Sequence, residues 1–152
     1  MTDTPVAEPA TTPAPKPAKP LLPLPPLVDR LTDALGYPRL ESADDQPWRG
    51  GTESWVVFLP GHGKGNAETA DVAVILPELV RVLSPHLKPA VAGPAAEQAL
   101  LARAGMMSLP ALVFLRGDDL LGSIPRVRDW DDYLERIAAI LLGPHAPSAR
   151  LQ

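Results

Sequence analysis

The placement of proline is the feature that most constrains the fold of this chain. Nine of its 20 prolines lie within residues 1–26, in a stretch of Pro, Ala and Thr without aromatic side chains. Such a stretch buries too little apolar surface to offset its ordering entropy, so we expect a disordered, partly polyproline-II arm. The remaining sequence predicts one folded domain over residues 27–142 and a flexible C-terminal tail over residues 143–152.

Composition excludes several classes of function. The 152 residues include no cysteine, which rules out disulfides, thiolate metal sites and a thiol nucleophile. A net charge of −4 argues against nucleic acid or an anionic membrane as the main partner. The apolar runs fall far short of the ~20 residues that span a bilayer, and the acidic start does not fit a secretory signal. We expect a cytoplasmic protein without direct membrane insertion, and we predict no cofactor, metal or catalytic residue.

The order of apolar patterns predicts an α/β fold. Continuous apolar runs of strand length occur at Ser54–Leu59 and Ala111–Arg116, and residues 130–142 form a closing amphipathic helix. The full order is α-β-β-α-β-α-β-β-α, with a hairpin over residues 111–124. A parallel β-α-β part followed by a hairpin and a closing helix resembles the thioredoxin pattern, a three-layer sandwich around a mixed sheet.

The segment around Pro110 strengthens that resemblance. Residues 106–114 resemble the thioredoxin-fold segment in which a cis-proline precedes the first hairpin strand. The resemblance implies a cis Leu109–Pro110 bond and a Leu109 backbone exposed for pairing with an extended peptide. Met106 and Met107, beside it, offer an adaptable apolar surface, although packing in the core explains one of them equally well.

The thioredoxin dithiol has no counterpart here. In thioredoxins a proline lies five residues after the second cysteine of the CxxC pair. Counting back from Pro77 places the two cysteine positions at Thr69 and Val72, which cannot exchange thiols. The scaffold is therefore expected without its redox chemistry.

Four separate segments narrow the resemblance to one family. Residues 68–79, 109–116, 121–122 and 129–134 are similar, in order, to the HupG/HyaE family of hydrogenase expression proteins, and the similar region covers about residues 27–142. The resemblance implies a non-catalytic chaperone in maturation of uptake NiFe hydrogenases. The implied partner is the small-subunit precursor with its twin-arginine signal peptide, and other hydrogenase accessory proteins are further candidates.

The acidic residues of the predicted helix that contains Pro77 suggest how the chain recognises a signal peptide. Glu68 and Asp71 fall in the first turn of the helix predicted over residues 67–83, where complementing the helix dipole is a sufficient structural reason for them. A compatible hypothesis is that they receive the arginines of a signal peptide through charge-assisted hydrogen bonds. Glu78 follows Pro77 and also fits a solvated face. The predicted partner-binding residues are Glu68, Asp71, Glu78, Met106, Met107 and Pro110.

Two other functions remain open on the sequence. The Gly-rich turn at residues 61–66 lies between a strand and a helix and could cradle a phosphate or nucleotide. However, Phe58 stands where a P-loop needs its first glycine, and Asn66 stands at the third glycine of the dinucleotide fingerprint. Alternatively, the proline-rich arm makes the chain an adaptor that recruits other proteins. Of the three tryptophans, Trp48, in a polar loop, is the best candidate for an exposed contact.

Overall fold

The structure, a computed structural model, describes residues 24–63, 66–105 and 107–143. Most of the predicted arm, Met106 and the predicted tail beyond Gly143 therefore lie outside the described residues. None of the helices in these ranges is long and apolar enough to cross a membrane.

Four helices and five strands occur in the described residues, in the predicted order. The helices are α1 (Pro26–Asp33), α2 (Glu68–Leu83), α3 (Pro94–Ala104) and α4 (Trp130–Leu142). The strands are β1 (Arg39–Leu40), β2 (Ser54–Leu59), β3 (Leu87–Ala92), β4 (Ala111–Arg116) and β5 (Asp119–Pro125). Helix α2 continues through Pro77, and α3 ends at Gly105, whose φ of 85° is a left-handed cap that favours glycine.

The strands form one mixed sheet in the order β1-β3-β2-β4-β5. Strand β3 runs parallel to both β1 and β2, whereas β4 runs antiparallel to β2 and β5. Val57, at the centre of β2, pairs with Ala90 on one side and Val113 on the other. Strand β2 is thus central, as its continuous apolar run predicted.

Alternation along β2 separates two hydrophobic cores. Val56 and Phe58 point to the face covered by α1, α2 and α4, and Val57 and Leu59 point to the face covered by α3. The first core includes Val28, Leu31, Val72, Leu76, Leu79, Tyr133 and Ile137. The second includes Leu40, Trp48, Ala96, Leu100 and Leu115. The three-layer arrangement predicted from the sequence is confirmed.

Trp48 corrects one expectation. The segment between β1 and β2, residues 41–53, contains turns and no helix. Trp48 belongs to the second core and is 2% exposed. Trp48 is therefore not an exposed contact, because its side chain packs in the core on the face of the sheet that α3 covers.

Candidate functional site

Asn66 joins the start of α2 to the loop before β4. Its side-chain oxygen accepts the backbone N–H of Glu68 at 2.8 Å, and its side-chain nitrogen donates to the Leu109 carbonyl at 3.0 Å. The first bond caps the helix, since it satisfies one of the amides left free in the first turn. The Leu109–Pro110 peptide is cis, as expected. The Leu109 carbonyl, expected to pair with a peptide, is here engaged by Asn66.

Glu68 holds an arginine of the same chain. The Arg126 Nε donates to Glu68 Oε1 at 3.0 Å, the Arg126 Nη2 donates to Oε2, and the Val127 backbone N–H donates to Oε1 at 2.9 Å. The hydrogen bonds from Arg126 and from the Val127 N–H lower the pKa of the Glu68 carboxyl. Because this pKa lies below its unfolded value, any stability from the pair is present at neutral pH and is lost as the pH falls through the folded pKa.

Arg126 links Glu68 to the Pro110 corner. Its backbone N–H donates to the Pro110 carbonyl at 2.7 Å while its side chain binds Glu68. The structure therefore brings two of the predicted residues, Glu68 and Pro110, to either side of Arg126. Asp71, one turn further along α2, is exposed, and no group in the described parts of the chain makes a hydrogen bond or ion pair with its carboxylate.

The other predicted residues do not join this cluster. Glu78 lies ten residues beyond Glu68, about 15 Å along the helix, and its carboxylate binds Arg81 at 2.6 Å. Met107 is half-buried and packs with Leu109 against the second core. Pro110 itself is buried, and Met106 lies outside the described residues.

The positions that correspond to the thioredoxin dithiol are buried. Thr69 and Val72 are each 1% exposed, and the Thr69 hydroxyl donates to the Pro60 carbonyl at 2.8 Å. Thr69 thus fastens α2 to the end of β2 and presents no reactive group to solvent. No cluster of three His, Cys, Asp or Glu side chains that could hold a metal ion occurs within the described ranges.

The buried side chain of Glu97 binds the backbone of the Gly-rich turn. This side chain of α3 is 2% exposed, and its carboxylate accepts the backbone N–H groups of Gly61 at 2.8 Å and His62 at 2.9 Å. The His62 Nε2 donates to the Ala92 carbonyl at 2.8 Å. Two amides that a phosphate would need are thus already bound to an anion of the chain itself. This arrangement argues against the phosphate-binding alternative, although Lys64 and Gly65 lie outside the described residues.

The structural roles of three residues were not identified from the sequence: Asn66, Glu97 and Arg126. Asn66 could have been found, because it immediately precedes the predicted helix and is a favoured capping residue. Glu97 is 36 residues from Gly61 and Arg126 is 58 residues from Glu68, so no local pattern reveals either contact. Glu97 reads as an ordinary acid in the first turn of a helix.

Comparison with known proteins shows the family of the chain. Residues 27–133 match the family of Hydrogenase-1 expression protein HyaE. The chain is 46% identical over 127 residues to the hydrogenase expression/formation protein HoxO of Azotobacter vinelandii, covering 83% of this chain and 84% of that protein. It is 40% identical over 117 residues to the corresponding HupG of Rhodobacter capsulatus, covering 76% and 85%.

A solved structure supports the fold alone. Mitochondrial thioredoxin 3 of Saccharomyces cerevisiae superposes with a TM-score of 0.53 at 12% identity, over 67% of this chain and 92% of that chain. The scaffold is thus thioredoxin-like, while the chain contains no cysteine. Together with the extent of the family match, these findings show that the chain belongs to the HyaE family of hydrogenase expression proteins.

Proposed function

We propose that this chain is a non-catalytic chaperone that binds the precursor of the small subunit of an uptake NiFe hydrogenase in the cytoplasm. We further propose that it reads the precursor's twin-arginine signal peptide. Membership of a hydrogenase expression family supports a function in maturation. The lack of cysteine excludes thiol chemistry by the chain itself, which supports a binding function on this scaffold.

The pairing at the start of α2 is the observation that carries the proposal. Glu68 already binds a guanidinium through two nitrogens, so this carboxylate has the geometry and access that an arginine requires. Asp71 lies on the same side of the helix, three residues away, exposed and without a partner among the described residues. Two adjacent arginines of a peptide could therefore meet two adjacent carboxylates.

A partly apolar groove follows the two acids along α2 and supports the same proposal. Val74, three residues beyond Asp71, is 53% exposed. It lines an open groove of about 650 Å³ that also includes Leu35, Pro77 and Val80, with the charged Arg30, Glu78 and Arg81 among the other lining residues. A signal peptide places its apolar stretch after its basic residues. The surface of α2 presents the complementary order, carboxylates first and apolar side chains next.

Neutralising Asp71 tests the proposal. Asp71→Asn should weaken binding of a synthetic twin-arginine signal peptide about twofold to fivefold at low salt, because one exposed charge pair is lost. Fluorescence anisotropy of the labelled peptide with the full chain measures the affinity. The matched control is Asp29→Asn, an exposed aspartate at the same position of α1's first turn.

The control separates a local effect from a change in net charge. Both variants remove one negative charge, so unequal affinities show that the position matters. If Asp29→Asn weakens binding as much as Asp71→Asn, recognition at the start of α2 is wrong. If the wild-type chain and Asp71→Asn bind the peptide equally, the proposed reading of the signal by these two acids is wrong.

A further inference from the structure

The backbone and the side chain of Arg126 are held by contacts with different residues. Its φ of 67° makes it the one non-glycine residue with a positive φ in the described parts of the chain. This left-handed conformation is unfavourable for a residue with a Cβ, so surrounding contacts must impose it. Its N–H donates to the Pro110 carbonyl at 2.7 Å, and its carbonyl accepts the Tyr133 hydroxyl at 3.3 Å.

The Arg126 side chain extends from this fixed point across the surface to Glu68. It is 47% exposed, and its contact with Glu68 is the hydrogen-bonded ion pair described above. Its neighbour Arg128 behaves differently, since the Arg128 Nε donates to the Pro125 carbonyl and not to an acid. The strained backbone therefore aims one particular guanidinium at the carboxylate proposed to receive a partner's arginine.

We propose that Arg126 is an internal competitor that occupies the arginine site of the free protein. The inference rests on the proposed function and adds its regulation. Binding is then an exchange, in which a guanidinium of the partner takes the place of the Arg126 side chain on Glu68 while the Arg126 backbone stays on Pro110. A partner must compete with an intramolecular ligand, so only a segment that makes further contacts binds.

The geometry of the pair also specifies the chemistry of the partner. Two nitrogens of Arg126 reach two different oxygens of Glu68. An arginine of the partner can reproduce both bonds, whereas a lysine offers a single ammonium and a poorer replacement. The exchange therefore selects peptides with arginine over peptides with lysine.

Removing the competitor tests the inference. Arg126→Gln should bind a twin-arginine peptide roughly threefold to tenfold more tightly than the wild-type chain, because the competent fraction of the site rises. Arg128→Gln is the matched control, since it removes the same charge from the same loop. The gain should also disappear in the double variant Arg126→Gln with Glu68→Gln. Thermal unfolding of each variant establishes that it is folded.

The possible outcomes separate the two proposals. If the wild-type chain binds the peptide and Arg126→Gln binds no more tightly, Arg126 is not a competitor. An equal gain in Arg128→Gln would mean that only the net charge matters, which also overturns the inference. If neither the wild-type chain nor Arg126→Gln binds, the proposed function itself fails, because the internal occupant has then been removed without effect.

Discussion

Replacing Glu97 with alanine is expected to lower the free energy of unfolding by about 2–4 kcal/mol. The Gly61 and His62 amides would lose their acceptor, and each unsatisfied buried donor costs about 1–3 kcal/mol. Relief from burying a carboxylate offsets part of this loss. Gly61 also has a φ of 93° and lies against Leu109. A change in the turn would therefore also disturb the packing of the loop that contains Pro110.

Chemical denaturation measures this effect, and hydrogen exchange of the two amides locates it. Glu97→Gln should cost less, because its carbonyl oxygen still accepts one of the two N–H groups while its amide group faces the other. Formate should partly restore the stability of Glu97→Ala by supplying a small carboxylate to the vacated site. The control Glu135→Ala, at an exposed position of α4, should change stability by less than about 0.5 kcal/mol. A Glu97→Ala chain as stable as this control, with both amides still protected, would contradict the assignment.

Trp48→Ala should lower the free energy of unfolding by about 3–5 kcal/mol, the usual range for loss of a fully buried aromatic side chain. Trp48 belongs to the second core, which also includes Ala96 and Leu100 of α3. Trp48→Phe should cost much less. The buried Trp48 Nε1–H has no hydrogen-bond partner in the described residues, and phenylalanine removes that unsatisfied donor.

Trp130→Ala is the matched control for Trp48. Trp130 is 39% exposed at the start of α4, so its truncation should cost about 1 kcal/mol or less. Urea unfolding of the three variants gives the comparison. Equal losses for Trp48→Ala and Trp130→Ala would show that Trp48 does not fill the core.

Local patterns were sufficient for most of the fold. Strand β2 is a continuous apolar run bounded by polar and glycine residues, and α4 carries a clear helical period, so the predicted bounds of both match the structure. The order of elements then restricted the topology to a sheet with a closing hairpin. The family resemblance, on residues 27–142, agrees with the later match over residues 27–133.

The features that the sequence did not predict lie where distant parts of the chain make contact. Trp48 lies in a polar segment, which made it a candidate for exposure, but its side chain packs with β1 and α3 in the second core. On the sequence alone, the two acids at the start of α2, Glu68 and Asp71, have the same expected role, as receivers of a peptide's arginines. The structure instead pairs Glu68 with Arg126, an arginine 58 residues away, and leaves Asp71 exposed. No spacing within α2 could have revealed that difference.

The most direct test of the account compares the chain's affinity for the small-subunit precursor with its affinity for the mature subunit. Calorimetric titration with the full chain at low salt gives both values, together with a precursor whose two signal arginines are replaced by lysine. We predict that the intact precursor binds most tightly and that both changes weaken binding about tenfold or more. Equal affinity for all three proteins, or no binding of the intact precursor, would contradict the account.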